Sequence, residues 1–204
     1  MTPTIAVPEL QPLVLYLNPH IRLTDDQLFE FCRQNSFYQI ERESNGDLVL
    51  MPPAGFATDD RNAGIITQLR TWADIDRKGV ASGSSAGFLL PNGALRAPDA
   101  AWTLRSRLRA IPREQLEKFV PLCPDFVVEL KSPSDTLSTL QAKMTEYIDN
   151  GARLGWLIDP YHRQVHVYRP ARDPEILDNP AAVSGDPELP GFTLDLEPLW
   201  NPEI

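Results

Sequence analysis

The chain has 204 residues, 42% of them hydrophobic, which fits one globular domain with a sizeable core and excludes a disordered or fibrous protein. Its formal net charge of -9 excludes nonspecific adhesion to nucleic acid through an excess of lysine and arginine, although a local basic patch stays compatible with it. Cys32 and Cys123 are too few and too far apart for a zinc site or a disulfide framework, and no long apolar run or leader-like start is visible, so a cytoplasmic protein without a membrane span is expected.

Residues 1–20 carry four prolines and no hydrophobic period, which predicts an extended arm, with residues 21–204 as a single domain. Thr24 and Gln27 form a capping box for a helix with Leu28, Phe29, Phe31 and Cys32 on its apolar face. The runs Tyr38 to Glu43 and Asp47 to Met51 flank Ser44-Asn45-Gly46 and predict a hairpin. From about Asp60, the residues Ile65, Ile66, Leu69, Trp72 and Ile75 predict a second helix. Short strands broken by glycine follow, the last of them spanning Ala97 to Leu104. Residues 105–118 hold Arg105, Arg107, Arg109, Arg113 and Lys118, a basic island in an acidic chain that reads either as a solvated connecting helix or as a phosphate contact.

The stretch from Pro124 to Gly151 organises the rest. Alternation puts Asp125, Val127, Glu129 and Lys131 on one strand face and Phe126, Val128 and Leu130 on the other. Ser132-Pro133-Ser134-Asp135 is a helix-start signal, and Leu137, Leu140, Met144, Tyr147 and Ile148 recur at helical spacing until Asn150-Gly151. Charges inside an apolar strand are costly unless they are paired or bind something. A Glu129–Lys131 ion pair on a solvated face satisfies that rule, and so does a binding site. Trp156 to Asp159 and Val165 to Tyr168 predict a second hairpin, and Leu194, Leu196, Leu199 and Trp200 are expected to pack back on the body.

This order of elements, with Pro98-Asp99 opening one strand and Glu129-Leu130-Lys131 in another, resembles the PD-(D/E)XK nuclease superfamily. More narrowly, four segments together resemble the Uma-two family of restriction endonuclease-like proteins. They are Asn45-Gly46-Asp47 before Met51-Pro52-Pro53, Pro98-Asp99-Ala100-Ala101-Trp102, Pro124 to Asp135, and Trp156-Leu157-Ile158-Asp159-Pro160. The resemblance implies an α/β fold of mixed type, a restriction-endonuclease-like core with a central mixed sheet flanked by helices. It implies an endonuclease that hydrolyses DNA phosphodiester bonds with Mg²⁺, or with Mn²⁺ in its place. Asp99, Glu129 and the Leu130 carbonyl would hold the ion, Lys131 would serve the attacking water, and Glu41 would be a third site carboxylate.

Asn62 stands where many relatives carry histidine, which leaves an amide to orient water or phosphate. Asp125 lies roughly 13 Å from Glu129 along the strand and is expected at the rim or in a structural role. Lys143 and Gln141 are expected on a solvated helix face. A homodimer is expected by analogy, since two active sites suit two DNA strands. A catalytically quiet accessory protein that retains the fold, and an enzyme acting on another phosphate ester, remain alternatives.

Overall fold

The computed structural model describes residues 12–203; residues 1–11 of the expected arm lie outside the described residues. Strand β1 (Leu13–Leu15) precedes helix α1 (Asp25–Gln34), which carries the expected capping box between Thr24 and Gln27. Strands β2 (Gln39–Arg42) and β3 (Leu48–Met51) form the first hairpin. Its turn uses Gly46 at a φ of 101°, a conformation that costs glycine little. β1 pairs with β3, so residues 13–15 lie against the body of their own chain.

Helix α2 (Phe56–Asp76) starts four residues before Asp60. Its N-cap is Gly55, which offers no side-chain hydrogen bond, so the usual start signal is missing. Strands β4 (Gly79–Gly83), β5 (Phe88–Leu89), β6 (Leu95–Arg96) and β7 (Ala100–Leu104) follow. The strand expected over Ala97 to Leu104 is therefore shorter, Ala100–Leu104, and Leu95–Arg96 just before it is a separate strand in the other sheet. Pro98, which has no N–H to give a ladder, lies at the break. An outer sheet has the order β1-β3-β2-β6-β5, and β7 belongs to the central sheet.

Two short helices, α3 (Arg105–Arg109) and α4 (Arg113–Leu116), stand in place of one connecting helix. Then come β8 (Phe126–Leu130), α5 (Leu137–Asp149), β9 (Leu154–Asp159) and β10 (Gln164–Tyr168). The chain ends with β11 (Glu175–Asp178), β12 (Ala182–Ser184), β13 (Thr193–Asp195) and α6 (Glu197–Trp200). Helix α5 begins later than expected because Thr136 caps it. Ser132 to Asp135 instead closes a turn, with the Ser132 N–H and hydroxyl both donating to Asp135 Oδ2.

The central sheet runs β11-β10-β9-β8-β7-β4 and is mixed, since β8 and β9 are parallel and the other pairs antiparallel. Parallel neighbours need a crossover, and α5 supplies it. Phe126, Val128 and Leu130 of β8 face one core with Ile65, Leu69 and Ala73 of α2, where Leu194, Leu196, Leu199 and Trp200 also pack. Val127 faces a second core with Leu140, Met144 and Tyr147 of α5. The result is the expected mixed α/β architecture, a mixed central sheet flanked by helices. No helix among the described residues is long and apolar enough to cross a membrane.

Candidate active site

In the antiparallel pairing of β7 and β8, Ala100 lies opposite Val128. One residue further along the same register, Asp99 comes level with Glu129. The Asp99 carboxylate is held from two sides, by Leu130 N on Oδ2 at 2.8 Å and by Asn62 Nδ2 on Oδ1 at 2.9 Å. Asn62 comes from α2, and its own Oδ1 is buried without a hydrogen-bond partner.

The α5 face that packs on the sheet supplies the other half. The Tyr147 hydroxyl donates to Glu129 Oε1 at 2.9 Å, and Lys143 Nζ lies 3.0 Å from the same oxygen. These two side chains are four residues apart, hence neighbours on one helix face. Lys143 Nζ also donates to Glu41 Oε1 at 2.9 Å, an oxygen that accepts from Ala97 N as well. Behind Glu41 lies Arg96, its side chain only 6% exposed. Its guanidinium reaches Glu41 at 3.3 Å, Glu43 at 2.9 and 2.8 Å, and Glu146 at 2.6 Å.

This crowding of charge sets the ionisation of the group. Burial, followed by the negative charges of Asp99 and Glu41, pushes the Glu129 carboxyl up to about 7, with Lys143 opposing. Burial also raises Asp99, against the hydrogen bond from Leu130 and the charge of Lys143. At Glu41 burial works upward too, but Lys143 and Arg96 outweigh it and hold this carboxyl below its usual range. Desolvation works against the charge of the largely covered Lys143, yet Glu129 and Glu41 keep its ammonium charged well above the ordinary lysine range. The constellation is thus one permanent cation between one firm carboxylate and one titrating near neutrality.

A cleft of about 1060 Å³ opens onto this group, lined by Asn62, Asp99, Glu129, Leu130 and Lys143. Among the described residues no three or more His, Cys, Asp and Glu side chains gather around one metal position. A divalent ion would therefore rest on the Asp99 and Glu129 carboxylates and the Leu130 carbonyl, an oxygen set suited to Mg²⁺, which keeps several waters. The crowded carboxylates fit such an ion because its charge offsets both the burial and the neighbouring negative charges that raise Glu129, and the orphaned Asn62 Oδ1 fits a water bound beside it.

The cleft brings together Asp99, Glu129, Leu130 and Lys143, with Glu41 joined through Lys143, whereas Lys131 lies at the rim beside Tyr161 and pairs with neither Asp99 nor Glu129. β8 ends at Leu130, and beyond it the strand alternation no longer governs direction. Lys131 Nζ donates to the Ser132 carbonyl at 3.1 Å and lies 5.1 Å from the centre of the Tyr161 ring. Lys143, expected on a solvated face, is the lysine that meets Glu129. A signal for it existed in the sequence: Lys143 falls three residues after Leu140 and four before Tyr147, both core positions.

Asp125 and three residues of the basic island, Arg105, Arg107 and Lys118, have structural partners. Asp125 is buried at the opposite end of β8, where Oδ2 accepts from Leu104 N at 2.8 Å and Oδ1 pairs with Arg107 at 3.0 Å. Arg105 donates to the carbonyls of Arg77 and Gly79, and Lys118 pairs with Asp26. Helix α3 follows the end of β7 that lies away from Asp99, roughly 17 Å along the strand. Asp125→Ala is expected to destabilise the protein by about 2 kcal/mol in urea unfolding, since it orphans a buried N–H, while Mg²⁺ affinity stays as in the wild type. Lost metal affinity with unchanged stability would place Asp125 in the site instead.

The chain matches the model of the Uma2 family, described as "Putative restriction endonuclease", over residues 25–197. Among solved structures it is similar to "a putative nuclease belonging to DUF820" from Anabaena variabilis, at 21% sequence identity and a TM-score of 0.70. That match covers 87% of this chain and 97% of the other. At this identity the likeness speaks to the fold. Comparison with curated proteins yields no match.

Proposed function

The chain belongs to the Uma2 family, and from that premise we propose that the Asp99–Glu129 cleft is the active site of a Mg²⁺-dependent endonuclease hydrolysing DNA phosphodiester bonds. The observation that carries the reading is the pairing of β7 with β8, which brings the half-buried Asp99 carboxylate and the buried Glu129 carboxylate together beside a charged lysine. Asp99, Glu129 and the Leu130 carbonyl hold the ion, Mg²⁺ or Mn²⁺. When bound, the ion supplies positive charge for the scissile phosphate and lowers the pKa of a coordinated water.

The chain's own groups do the rest. Lys143 offsets the charge that develops on the phosphate oxygens; as a cation held well above its usual pKa it stabilises charge and is a poor proton acceptor. Glu41 fixes Lys143, Tyr147 fixes Glu129, and Asn62 Oδ1 accepts a hydrogen from the attacking water. In this reading residues 21–204 act as one nuclease domain with residues 1–20 as an arm, the protein works in the cytoplasm, and a homodimer presents two clefts to two strands. The quiet accessory reading draws its support from the net charge of -9.

Calorimetric titration of Mg²⁺ into the wild type and Glu129→Gln, beside a plasmid-nicking assay, separates the two readings. Metal binding and nicking are both expected in the wild type and both lost in the variant. Because a raised Glu129 must lose its proton to bind metal, wild-type affinity should level off above about pH 7 and weaken toward acid. A wild type that neither binds nor nicks would overturn the endonuclease reading.

A further inference from the structure

Four aromatic side chains line the active-site cleft yet face solvent: Phe37 is 86% exposed, Phe56 75%, Tyr38 51% and Tyr161 48%. They come from three separate segments. Phe37 and Tyr38 lie between α1 and β2, Phe56 is the first residue of α2, and Tyr161 sits in the turn between β9 and β10. Scattered exposed aromatics are ordinary on a surface; four converging on one concavity are not.

The charges in the same lining are Asp59, Asp99, Glu129 and Asp135 against Lys143, which is already shared by Glu41 and Glu129. No arginine lines the cleft among the described residues. Lys131 adds a cation at the rim, over the Tyr161 ring. Duplex DNA is gripped mainly through several lysine and arginine contacts to phosphate. Such contacts are scarce here. Unpaired bases, by contrast, expose π faces that stack on Phe and Tyr whatever their sequence.

We propose that this cleft takes a DNA strand with unpaired bases, stacked on Phe37, Tyr38, Phe56 and Tyr161 while one phosphate reaches Asp99, Glu129 and Lys143. The proposal rests on the endonuclease reading of the same site and names its substrate class. The acidic, aromatic lining selects against an intact duplex and for single strands, flaps or bubbles.

Fluorescence anisotropy with a labelled single-stranded oligonucleotide and its blunt duplex, in the presence of EDTA to prevent cleavage, tests it on the full chain. The single strand is expected to bind the wild type at least about tenfold tighter than the duplex, and Phe37→Ala and Phe56→Ala each to weaken it about tenfold. Both side chains are exposed, so the variants fold; Phe56→Trp should keep tight binding. A 2-aminopurine base in the strand should lose fluorescence on binding, and lose less with Phe56→Ala. Equal affinity for duplex, or aromatic variants that bind the strand as well as the wild type, would overturn the proposal. So would a dimer that Phe37→Ala and Phe56→Ala dissociate, since a second copy would then occupy the rings. Glu129-dependent nicking that ignores the aromatic variants would remove the strand proposal alone. Strand binding as expected with no cleavage of any DNA would remove the endonuclease reading and keep the stacking cleft.

Discussion

Lys143→Met is expected to lower DNA nicking by about 10²–10³-fold, the usual cost of deleting one group aimed at developing charge, whereas Lys131→Met lowers it only a few-fold. The contrast follows from position. Lys143 Nζ is 3.0 Å from Glu129 and lines the cleft beside Asp99. Lys131 Nζ is engaged by the Ser132 carbonyl and the Tyr161 ring. Lys143→Arg keeps the charge but spreads it over a larger fork, so partial activity is the expected result. Loss of Lys143 also leaves the buried Glu129 without a counter-charge and Glu41 with Arg96 alone, so each nicking rate is to be read beside a thermal melt of the same variant. A folded Lys143→Met that nicks at the wild-type rate, with Lys131→Met dead, would return the catalytic role to the lysine of the sequence motif.

That contrast also marks what a single sequence reveals. The alternation of β8 was legible because four apolar residues and one glutamate sit at strand period in a run bounded by Pro124 and Pro133. What alternation does not encode is where the strand stops, and Lys131 lies one residue beyond that point. The register that sets Asp99 against Glu129 is a property of two strands, hence visible only in the fold. The same applies to the basic island: arginines at 105 and 107 read as candidate phosphate ligands until carbonyls and Asp125 are found in front of them. Helix α2 began early for a local reason, since Gly55 leaves no capping side chain to read. Arg96 was visible only as a neighbour of Pro98-Asp99, and three acidic partners from β2, the turn after it and α5 converge on it solely through tertiary structure.

Those partners make Arg96→Met the change with the largest expected effect on stability, about 3–5 kcal/mol, because it leaves the buried Glu41 with Lys143 as its one counter-charge and takes from Glu43 and Glu146 the guanidinium they share. In a chain of this length each kcal/mol moves the melting temperature by about 2–4 °C, so a fall on the order of 10 °C is expected. The loss should depend on pH with a definite sign. In the wild type the Glu41 carboxyl is held below its ordinary 4.5, so its contribution is complete above that value and disappears as pH falls through the lowered one. Removing Arg96 removes part of that contribution. The gap between wild type and variant should therefore be widest near pH 7 and should narrow at acid pH, as pH falls from the ordinary 4.5 through the lowered value and Glu41 takes up a proton. Urea unfolding at neutral and acid pH measures it. A gap that stays constant would mean that Arg96 acts through packing of its stem and not through charge. A gap under about 1 kcal/mol at neutral pH would mean that desolvation of this cluster nearly cancels its attraction. The expected wide gap at neutral pH has a catalytic consequence, since without Arg96 the Glu41 carboxylate leans on Lys143 alone and draws it from Glu129. Nicking should then fall in Arg96→Met even at temperatures where the variant stays folded.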